Sequence, residues 1–422
     1  MFKNINGFSK LPKEQKIQWL AENYFHHKNE GIKILKSYWN SDKKLQELHD
    51  DFIENTISNF YMPYAVAPNF KINGKDYTVP MVIEESSVVA AAALVGKFWQ
   101  DKGGFKATVL GTTKIGQVHF MYKDDFESLK TYFEAKKQDL IKATDSITKN
   151  MRKRGGGILD IELRDKTKEL ANYYQLHVTF DTKDSMGANF INSCLEAMAN
   201  EFKNDKIQVV MSILSNYVPD CRVRAEVSCK VSDLYKEDAQ HYAEKFIQAL
   251  NIANAEPHRA VTHNKGIMNG VDAVVLATGN DFRAIEAGVH AYASRTGKYK
   301  SLSGGKIENG IFYFWLEIPL ALGTVGGLTK IHPLAKLSLE ILGNPTAEEL
   351  MQVVACIGLA QNFAALRALT TTGIQSGHMK MHLNNIIKQL NANKEQTKFL
   401  LDYFKDKPVS HSDVVAKFEE IK

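Results

Sequence analysis

The 422-residue sequence contains only four cysteines, and their arrangement argues against two common kinds of cross-link. Cys194, Cys221, Cys229 and Cys356 include no pair at CxxC spacing, and each lies among apolar or β-branched neighbours. Zinc sites and disulfide frameworks are typically recognised by short, repeated cysteine spacings. We therefore expect reduced, partly buried thiols in a cytoplasmic protein, with neither disulfides nor a structural metal.

Long apolar runs and a strong charge imbalance are also missing. Residues 1–7 lack the apolar core of a signal peptide, and no run of about 18 apolar residues follows. The formal net charge is only +5. The sequence thus predicts a chain that neither spans a membrane nor binds nucleic acid, although a small anionic ligand fits the mild positive charge.

A Rossmann nucleotide site is not supported either, because no G-x-G-x-x-G follows a predicted strand. What the sequence does contain is 44% hydrophobic residues, enough for a sizeable core. At this length the chain can form two or three domains.

The most distinctive stretch is residues 256–270, where cationic and amide side chains surround glycines before the apolar run Val274–Ala277. We interpret it as a polar loop that leads into a buried element and places Lys265 at the wall of a core. A lysine there loses hydration and can act on a substrate. The alternative is a solvated loop with a charged tip. The carboxylate of Asp281, which closes the segment, favours a tuned pair of charges.

Two adjacent carboxylates, Glu84 and Glu85, precede an almost entirely apolar helix that begins near Val88. They could complement the helix dipole. They could also include a poorly solvated acid with a raised pKa, which is suited to giving a proton, and we favour this second interpretation. Upstream, Asn73-Gly74 predicts a hairpin turn between two apolar strands.

The middle of the chain predicts the element order β-α-β-β-α-β, with strands at 118–121, 158–163, 175–180 and 207–211. The first helix of this unit is expected to run unbroken from Phe126 to Met151. The second begins at Asp184–Asn189, where free N–H groups could bind an anion. Composition alone favours the alternative, an Asp N-cap with a packing glycine.

Three later motifs carry weaker signals. The glycines of residues 323–327 permit a loop whose N–H groups converge on an anion. Gln361 and Asn362 lie in an apolar helix, where they could contact a ligand or equally well hold backbone groups. Glycines at 373 and 377 flank His378 and predict a mobile C-terminal lid. His378 and His382 lack a third ligand nearby, so we expect no zinc site.

Together these motifs resemble those of class II (bacterial-type) 3-hydroxy-3-methylglutaryl-coenzyme A reductases, and the resemblance extends over nearly the whole chain. Each motif is modest alone, but their joint occurrence in this order is specific. The motifs are Glu54-Asn55, Pro80–Glu85, Asp184–Asn189, His263–Gly270, Ala277–Asp281, Gly323–Gly327, Gly358–Phe363 and Gly377–Met379. The sequence departs from the family pattern at Ser58, Ala65, Ser86, Ser185 and Leu328, which affects local loop geometry rather than the four catalytic positions.

The resemblance implies reduction of HMG-CoA to mevalonate and coenzyme A, or the reverse reaction, with NADPH or NADH and without a metal. The implied catalytic residues are Glu85, Lys265, Asp281 and His378. In this scheme Lys265 stabilises an oxyanion, Asp281 holds Lys265, Glu85 gives a proton and His378 protonates the departing thiolate. The implied substrate-binding residues are Arg259, Ser87, Asn269, Gln361, Asn362, Glu54 and Asn55. The implied cofactor-binding residues are Asp184, Met186, Gly187, Asn189, Gly323, Thr324, Val325, Gly326 and Gly327.

The resemblance also implies an α+β fold and a homodimer, possibly part of a higher oligomer, with the active site at the subunit interface. We expect a large mixed domain (1–108 and 219–376), an inserted ferredoxin-like cofactor domain (109–218) and a C-terminal helical flap (377–422). Two rival hypotheses are a non-catalytic protein that binds coenzyme A or a nucleotide and a hydrolase that uses His and Cys. Intact catalytic positions argue against the first, and the missing G-x-S-x-G motif against the second.

Overall fold

The computed structural model describes residues 4–371, 383–384, 386–405, 407 and 409–421. Contacts divide the chain into two units, Met1–Pro63 and Tyr64–Lys422. The first unit contains helices α1 (Lys13–Tyr24), α2 (Lys28–Ser37) and α3 (Lys43–Asp50). An ion pair of 2.7 Å between Lys13 Nζ and Asp50 Oδ1 joins α1 to α3, and the Asp42 carboxylate caps the α3 N-terminus.

The described residues of the second unit include ten strands and twelve further α-helices with defined bounds. The strands are β1 (Tyr64–Ile72), β2 (Lys75–Val82), β3 (Lys106–Val109), β4 (Lys114–Tyr122), β5 (Gly157–Asp165), β6 (Tyr173–Asp181), β7 (Ile207–Ser215), β8 (Arg222–Lys230), β9 (Ser303–Glu308) and β10 (Ile311–Pro319). The helices are α4 (Val88–Gln100), α5 (Phe126–Ala143), α6 (Asp145–Lys153), α7 (Ala188–Phe202), α8 (Ala239–Ala255), α9 (Pro257–Ala277), α10 (Phe282–Ala293), α11 (Gly327–Ile331), α12 (Pro333–Ile341), α13 (Ala347–Thr370), α14 (Lys394–Tyr403) and α15 (His411–Glu420).

The predicted hairpin is confirmed. Strands β1 and β2 pair antiparallel, and Asn73 and Gly74 both have positive φ, 50° and 84°. A two-residue turn needs this backbone conformation to match the twist of the strands. The hairpin leads through residues 83–87 into α4, which packs against β1.

The largest core lies between a four-stranded antiparallel sheet, ordered β3-β8-β10-β9, and helices that include α8 and α13. Alternate residues of β10 (Phe312, Phe314 and Leu316) are fully buried, as the period of a half-buried strand requires. Helix α13 is the one helix among the described residues that is long and apolar enough to span a membrane by length and composition, although Gln352, Gln361, Asn362 and Arg367 interrupt its apolar residues. It is mostly buried against these strands and helices, as a core helix is.

The predicted loop at residues 256–270 is wrong, because these residues form the first two-thirds of α9. The Glu256 carboxylate accepts from the Arg259 N–H and caps the helix, and Pro257 occupies its first turn. The glycines serve packing rather than a loop. A Cβ at Gly270 would lie 2.5 Å from Gln361 Cγ and 2.8 Å from Ile357 O, so α9 crosses α13 at very short range.

A second antiparallel sheet, ordered β5-β6-β4-β7, has a hydrophobic core of its own with α5 and α7. All four strands predicted for this region are present, and each is longer than predicted. The single long helix expected between β4 and β5 is instead two helices, which break at Thr144. The Thr144 N–H and hydroxyl both bond to Ile141 O, which closes α5 before α6 starts.

The described C-terminal residues form a small separate core from α14, α15 and the segment before them. Leu383, Leu400, Val414 and Phe418 are buried in it. His378, the two glycines of the predicted hinge and His382 lie outside the described residues, so the lid stays a prediction.

Candidate active site

The turn between β2 and α4 meets the middle of α9 in an ion pair. Lys265 Nζ lies 2.8 Å from Glu85 Oε2, and Asn269 Nδ2 lies 3.5 Å from the same oxygen. Lys265 and Asn269 are four residues apart and therefore share one face of α9. The Lys265 side chain is 61% exposed and the Glu85 side chain 38% exposed, so a ligand can reach the ammonium group. Of the predicted site residues, these three are brought into one cluster.

The Gln361 side chain supports the turn that carries Glu85. Its side-chain Nε2 donates to the Val88 backbone oxygen at 2.5 Å, deep in the core. Val88 is the first residue of α4, directly after the Glu85 turn, so the amide fixes where that turn lies. For Gln361 the structure supports the structural alternative, an amide that holds backbone.

Asn362 has a similar structural role. Its Oδ1 accepts from Ser303 Oγ at 2.6 Å, and Ser303 Oγ lies 2.7 Å from His263 Nε2. All three side chains are buried. Burial, assisted by the Arg259 charge, lowers the pKa of His263 to about 3, so His263 is neutral at physiological pH. Sequence analysis missed this network, because Ser303 belongs to no motif.

Asp281 does not join Lys265 within one chain. It accepts from the Arg283 and Ala284 N–H groups as the N-cap of α10, and its oxygens lie 3.3 Å from the Arg283 guanidinium. The helix between Lys265 and Ala277 extends about 18 Å at 1.5 Å per residue. A side chain that starts beyond the far end of α9 cannot span that distance.

The two predicted cofactor segments lie against each other. The Thr324 N–H donates to Asp184 O at 2.8 Å, and the Val325 N–H lies 3.3 Å from the same oxygen. Any side chain at Gly323 would collide with the Met186 backbone nitrogen. Gly187, with φ of 91°, directly precedes α7. These residues form a backbone-lined corner at a helix N-terminus, an arrangement that favours an anion.

The Asp184 carboxylate itself is used structurally. Its Oδ1 accepts from the Ala347 N–H at 2.8 Å, at the start of α13. This contact agrees with the reading of Asp184 as a capping residue, although it caps a different helix from the predicted one. Asn189 is exposed near the start of α7, and Gly326 and Gly327 have positive φ with open space around them.

Lys114, which sequence analysis missed, lies beneath this corner. Its Nζ donates to Thr182 Oγ1 at 2.5 Å and to Ser185 O at 2.8 Å. Burial lowers the pKa of this amine. It borders a cavity of about 300 Å³ whose lining also includes Asp181, Lys183 and Glu348. A single lysine at the start of a strand does not show in the sequence that it will be buried beside these two segments.

The remaining predicted substrate residues are dispersed. Arg259 lies half-buried in the first turn of α9, and burial lowers its pKa. Ser87 is exposed and has a φ of 75°. Glu54 and Asn55 belong to the first unit, where Asn55 also has a positive φ, 61°.

The thiols do not form a reactive site. The four cysteines are unpaired, and burial raises the pKa values of Cys194 to about 12 and of Cys221 and Cys229 to about 11. Cys356 is shifted further in the same direction. Such thiols stay protonated at neutral pH and are poor nucleophiles, which weakens the hydrolase hypothesis. In the part of the chain that the structure describes, no group of three His, Cys, Asp or Glu side chains could hold a metal.

Comparison with known proteins gives a consistent result. The sequence profile described as hydroxymethylglutaryl-coenzyme A reductase matches residues 13–383. A 3-hydroxy-3-methylglutaryl-coenzyme A reductase from Archaeoglobus fulgidus is 39% identical over 419 residues, covering 96% of this chain and 94% of the relative. A probable enzyme of the same name from Borreliella burgdorferi is 36% identical over 407 residues, covering 92% and 90%.

Solved structures agree with the sequence relatives. A 3-hydroxy-3-methylglutaryl-coenzyme A reductase from Streptococcus pneumoniae is 35% identical, covers 100% of both chains and has a TM-score of 0.75. A structure of the class II enzyme from the same organism, bound to NADPH in open conformations, has a TM-score of 0.74 at 35% identity and covers 93% of this chain and 99% of the other.

Proposed function

This chain belongs to the hydroxymethylglutaryl-coenzyme A reductase family, and we propose that it reduces HMG-CoA to mevalonate in two steps. In the first, a hydride and a proton convert the thioester into an aldehyde and free coenzyme A. In the second, another hydride and proton convert the aldehyde into the primary alcohol. The balanced reaction consumes two reduced nicotinamides and two protons for each mevalonate formed.

The observation that carries this proposal is the ion pair between Lys265 and Glu85 on an accessible face of α9. Hydride addition to the thioester carbon places negative charge on the carbonyl oxygen. The Lys265 ammonium donates a hydrogen bond to that oxygen as the charge develops, which is the interaction that lowers such barriers most. Glu85 holds Lys265 in this position before the substrate binds. Asn269 lies on the same face of α9.

Glu85 supplies the proton of the second step. Glu85 takes up a proton from solvent before the second step and, when hydride adds to the aldehyde, transfers that proton to the new alkoxide oxygen. The resulting carboxylate is then stabilised by Lys265, 2.8 Å away. In the first step the breaking C–S bond releases a thiolate, to which we assign His378 as proton donor because an imidazole matches its basicity near neutral pH.

The nicotinamide cofactor, NADPH or NADH, supplies the hydride when bound. We assign its anionic groups to the corner formed by Asp184–Gly187 and Gly323–Val325. The fit is supported by the N-terminus of α7 and by Gly323, whose lack of a side chain lets the two segments approach. Lys114 and the Asp184 carboxylate support this corner through their hydrogen bonds to Ser185 O and to the Ala347 N–H.

We assign the second sheet with α5–α7, residues 109–218, as the inserted ferredoxin-like cofactor domain of this fold. Its antiparallel order β5-β6-β4-β7 and its separate core support that assignment. Residues 1–108 and 219–376 then make up the large domain. Residues 377–422 are assigned as the flap, supported by the independent core of α14 and α15.

We further propose a homodimer in which Asp281 of one chain reaches Lys265 of the other. Two facts support this arrangement: the same-chain separation of about 18 Å along α9, and the exposure of Lys265 in the single chain. In a two-fold dimer each chain contributes one half of each of two identical sites. We assign the protein to the cytoplasm and to mevalonate metabolism, in either direction.

The test is an assay of purified protein with NADPH or NADH, followed at the reduced-nicotinamide absorbance, with and without HMG-CoA. We expect oxidation only with HMG-CoA, and a loss of about 1,000-fold in kcat for Lys265→Ala. Lys245→Ala, which removes an exposed lysine on the neighbouring helix α8, is the matched control and should keep full activity. Oxidation that is independent of HMG-CoA, or full activity of Lys265→Ala, would refute the proposal.

A further inference from the structure

The large sheet carries a cavity on the face opposite its core. Phe312, Phe314 and Leu316 of β10 point into the core, so the alternate residues Tyr313 and Trp315 point to the other side of the sheet. A cavity of about 370 Å³ lies there, within the size range of small-molecule sites. Its lining shares no residue with the candidate active site or with the proposed cofactor corner.

The side chains that line this cavity carry mainly positive charge. Lys102, Lys106, Arg224 and Lys306 supply four cations against the one carboxylate of Glu226, which gives the lining a net charge of +3. The whole chain has a formal net charge of only +5. A concave site with one dominant sign of charge concentrates ions of the opposite sign. The cavity therefore favours an anion.

The lysines differ in how far their charges are already paired. Lys306 Nζ lies 2.6 Å from Glu308 Oε2, and Lys102 Nζ donates to Phe98 O at 3.2 Å near the end of α4. Lys106 is exposed on the edge strand β3, and it has no ion-pair partner in the part of the chain that the structure describes. Its ammonium group is therefore the lysine charge most available to a ligand.

Arg224 is held in place but keeps most of its donors. Its Nε donates to Glu226 Oε2 at 3.2 Å, and its guanidinium carbon lies 4.9 Å from the centre of the Trp315 ring. Glu317 Oε2 lies 4.0 Å from Nη1, beyond hydrogen-bond distance. A guanidinium has five N–H groups, and within the described residues only the Nε–H makes a hydrogen bond. The Nη groups are thus preorganised for two-pronged bonding to a phosphate.

Two aromatic side chains form part of the wall. Tyr313 and Trp315 are half-buried neighbours on one face of β10, about 7 Å apart along the strand. The indole lies directly over Gly304 of β9, because a Cβ at Gly304 would be 2.7 Å from the ring. Aromatic rings beside cations are the usual platform on which a nucleic-acid base stacks. The wall can therefore bind a flat ring as well as a charge.

Another part of the wall is a turn fixed by packing. Gly103 and Gly104 both have positive φ, 95° and 78°. A Cβ at Gly104 would lie 2.4 Å from Lys71 O, and the Phe105 N–H donates to the same oxygen at 2.7 Å. Gly103 has open space around it. Because this turn is fixed against β1 before a ligand binds, little ordering is needed on binding.

We propose that this cavity binds a small phosphorylated molecule with a flat ring, which is the chemistry of a nucleotide, at a site separate from the cofactor corner. The phosphate oxygens accept hydrogen bonds from Arg224 and Lys106, and the ring stacks on the aromatic wall. The volume of the cavity suits a small molecule rather than a nucleic-acid strand. This inference is independent of the proposed function, because binding is measured without HMG-CoA.

The first experiment measures the binding of pyrophosphate and of ADP to the purified full-length protein by calorimetry at low salt, where surface charges are least screened. We expect both to bind, and ADP about tenfold more tightly because its base stacks. Lys106→Ala and Arg224→Gln should each weaken both ligands by about tenfold, since each variant loses a charge-assisted hydrogen bond. Lys130→Ala, which removes an exposed lysine on α5, is the matched control and should bind as wild type.

The second experiment separates the ring from the phosphate. In Trp315→Leu the tenfold advantage of ADP over pyrophosphate should disappear. Thermal unfolding of each variant verifies that it is folded, and the exposed position of Lys106 makes Lys106→Ala the variant least able to disturb the fold.

Three results would overturn the proposal. ADP also fits the cofactor corner, so binding of both ligands that is unchanged in Lys106→Ala and Arg224→Gln would belong to that corner. An advantage of ADP that persists in Trp315→Leu would exclude the stacked ring. A single-stranded oligonucleotide that binds more tightly than ADP, and is lost in Lys106→Ala, would make the occupant a nucleic acid instead of a small molecule.

Discussion

Helix α9 carries two polar clusters, and they differ in charge and in exposure. Lys265 and Glu85 have opposite charges and are open to solvent. His263, two residues before Lys265, is buried together with Ser303 and Asn362, which form a hydrogen-bonded network with it. The pair keeps both charges because water solvates them, whereas burial lowers the pKa of His263 and keeps the network neutral.

This difference shows how one helix serves two purposes. An exposed pair can exchange its partner for a substrate at little cost, since neither charge has been desolvated. A buried hydrogen-bonded network cannot be broken without leaving polar groups unsatisfied, so it is suited to holding geometry. The predictions below test whether chemistry and geometry are divided in this way between the exposed pair and the buried interior of α9.

The largest effect is expected at Glu85. Glu85→Gln keeps a hydrogen-bonding oxygen near Lys265 but cannot give a proton to the aldehyde, so kcat should fall about 100- to 10,000-fold. Steady-state kinetics with HMG-CoA and with the free aldehyde will measure the loss. The neighbouring exposed carboxylate provides the control, because Glu84→Gln should retain activity. Equal damage from both variants would contradict the assignment to Glu85.

The free energy of unfolding should be most sensitive to an added methyl group where α9 crosses α13. In Gly270→Ala the new methyl group would meet Gln361 and the Ile357 backbone oxygen, and we expect a loss of about 1–3 kcal/mol in the free energy of unfolding. Gly266 lies one turn earlier in α9 with open space around it, so Gly266→Ala should stabilise the helix by about 0.5–1 kcal/mol. Urea unfolding of the two variants measures both values. If both variants changed the free energy of unfolding in the same direction, α9 and α13 would not be in tight contact at Gly270.

The buried imidazole of His263 on α9 predicts a loss of stability in acid. Burial holds the pKa of His263 at about 3, while the unfolded chain takes up a proton near 6.5. Stability from this group is complete above pH 6.5 and falls by up to about 1.4 kcal/mol for each pH unit below it. Urea unfolding at pH 7 and pH 5 should therefore differ more for wild type than for His263→Gln. The exposed His241 on the neighbouring helix α8 supplies the control, and His241→Gln should leave the wild-type difference intact.

The smallest effect on stability is expected for Lys265→Ala, although the activity of this variant should fall strongly. Because the Lys265–Glu85 pair is exposed, it contributes at most about 1 kcal/mol to folding. Lys265→Ala should thus lose activity while its free energy of unfolding changes by less than that amount, as urea unfolding would show. A large destabilisation would mean that the pair is structural, and the contrast with the buried His263 network would fail.

Local patterns predicted much of the fold. The positive φ angles that Asn73-Gly74 favours specify the hairpin, and the period-two alternation of strands such as β5 and β6 identified the second sheet. Glu85 and Lys265 were both predicted as site residues, because both stand in motifs typical of one family, and the structure brings them together in one ion pair. In each case the information lies within a few residues or in a shared motif.

Features that depend on distant packing were missed. Residues 256–270 look like a loop because glycines and polar side chains disfavour an isolated helix. Packing against α13, which needs the small Gly270, overrides that preference. Lys114 was missed because a single charged residue in the sequence does not reveal that it is buried. Asp281 was paired with Lys265, yet a sequence gives no indication of which chain supplies each residue.

The most direct test of the account is complementation between two inactive variants, Lys265→Ala and Asp281→Asn, the second of which keeps its capping group. Each alone should be inactive. If each site combines Lys265 of one chain with Asp281 of the other, denaturing and refolding the two together should restore roughly a quarter of the wild-type activity, since half of the dimers are mixed and each has one intact site. Activity that stays at the level of the separate variants would contradict a site shared between two chains.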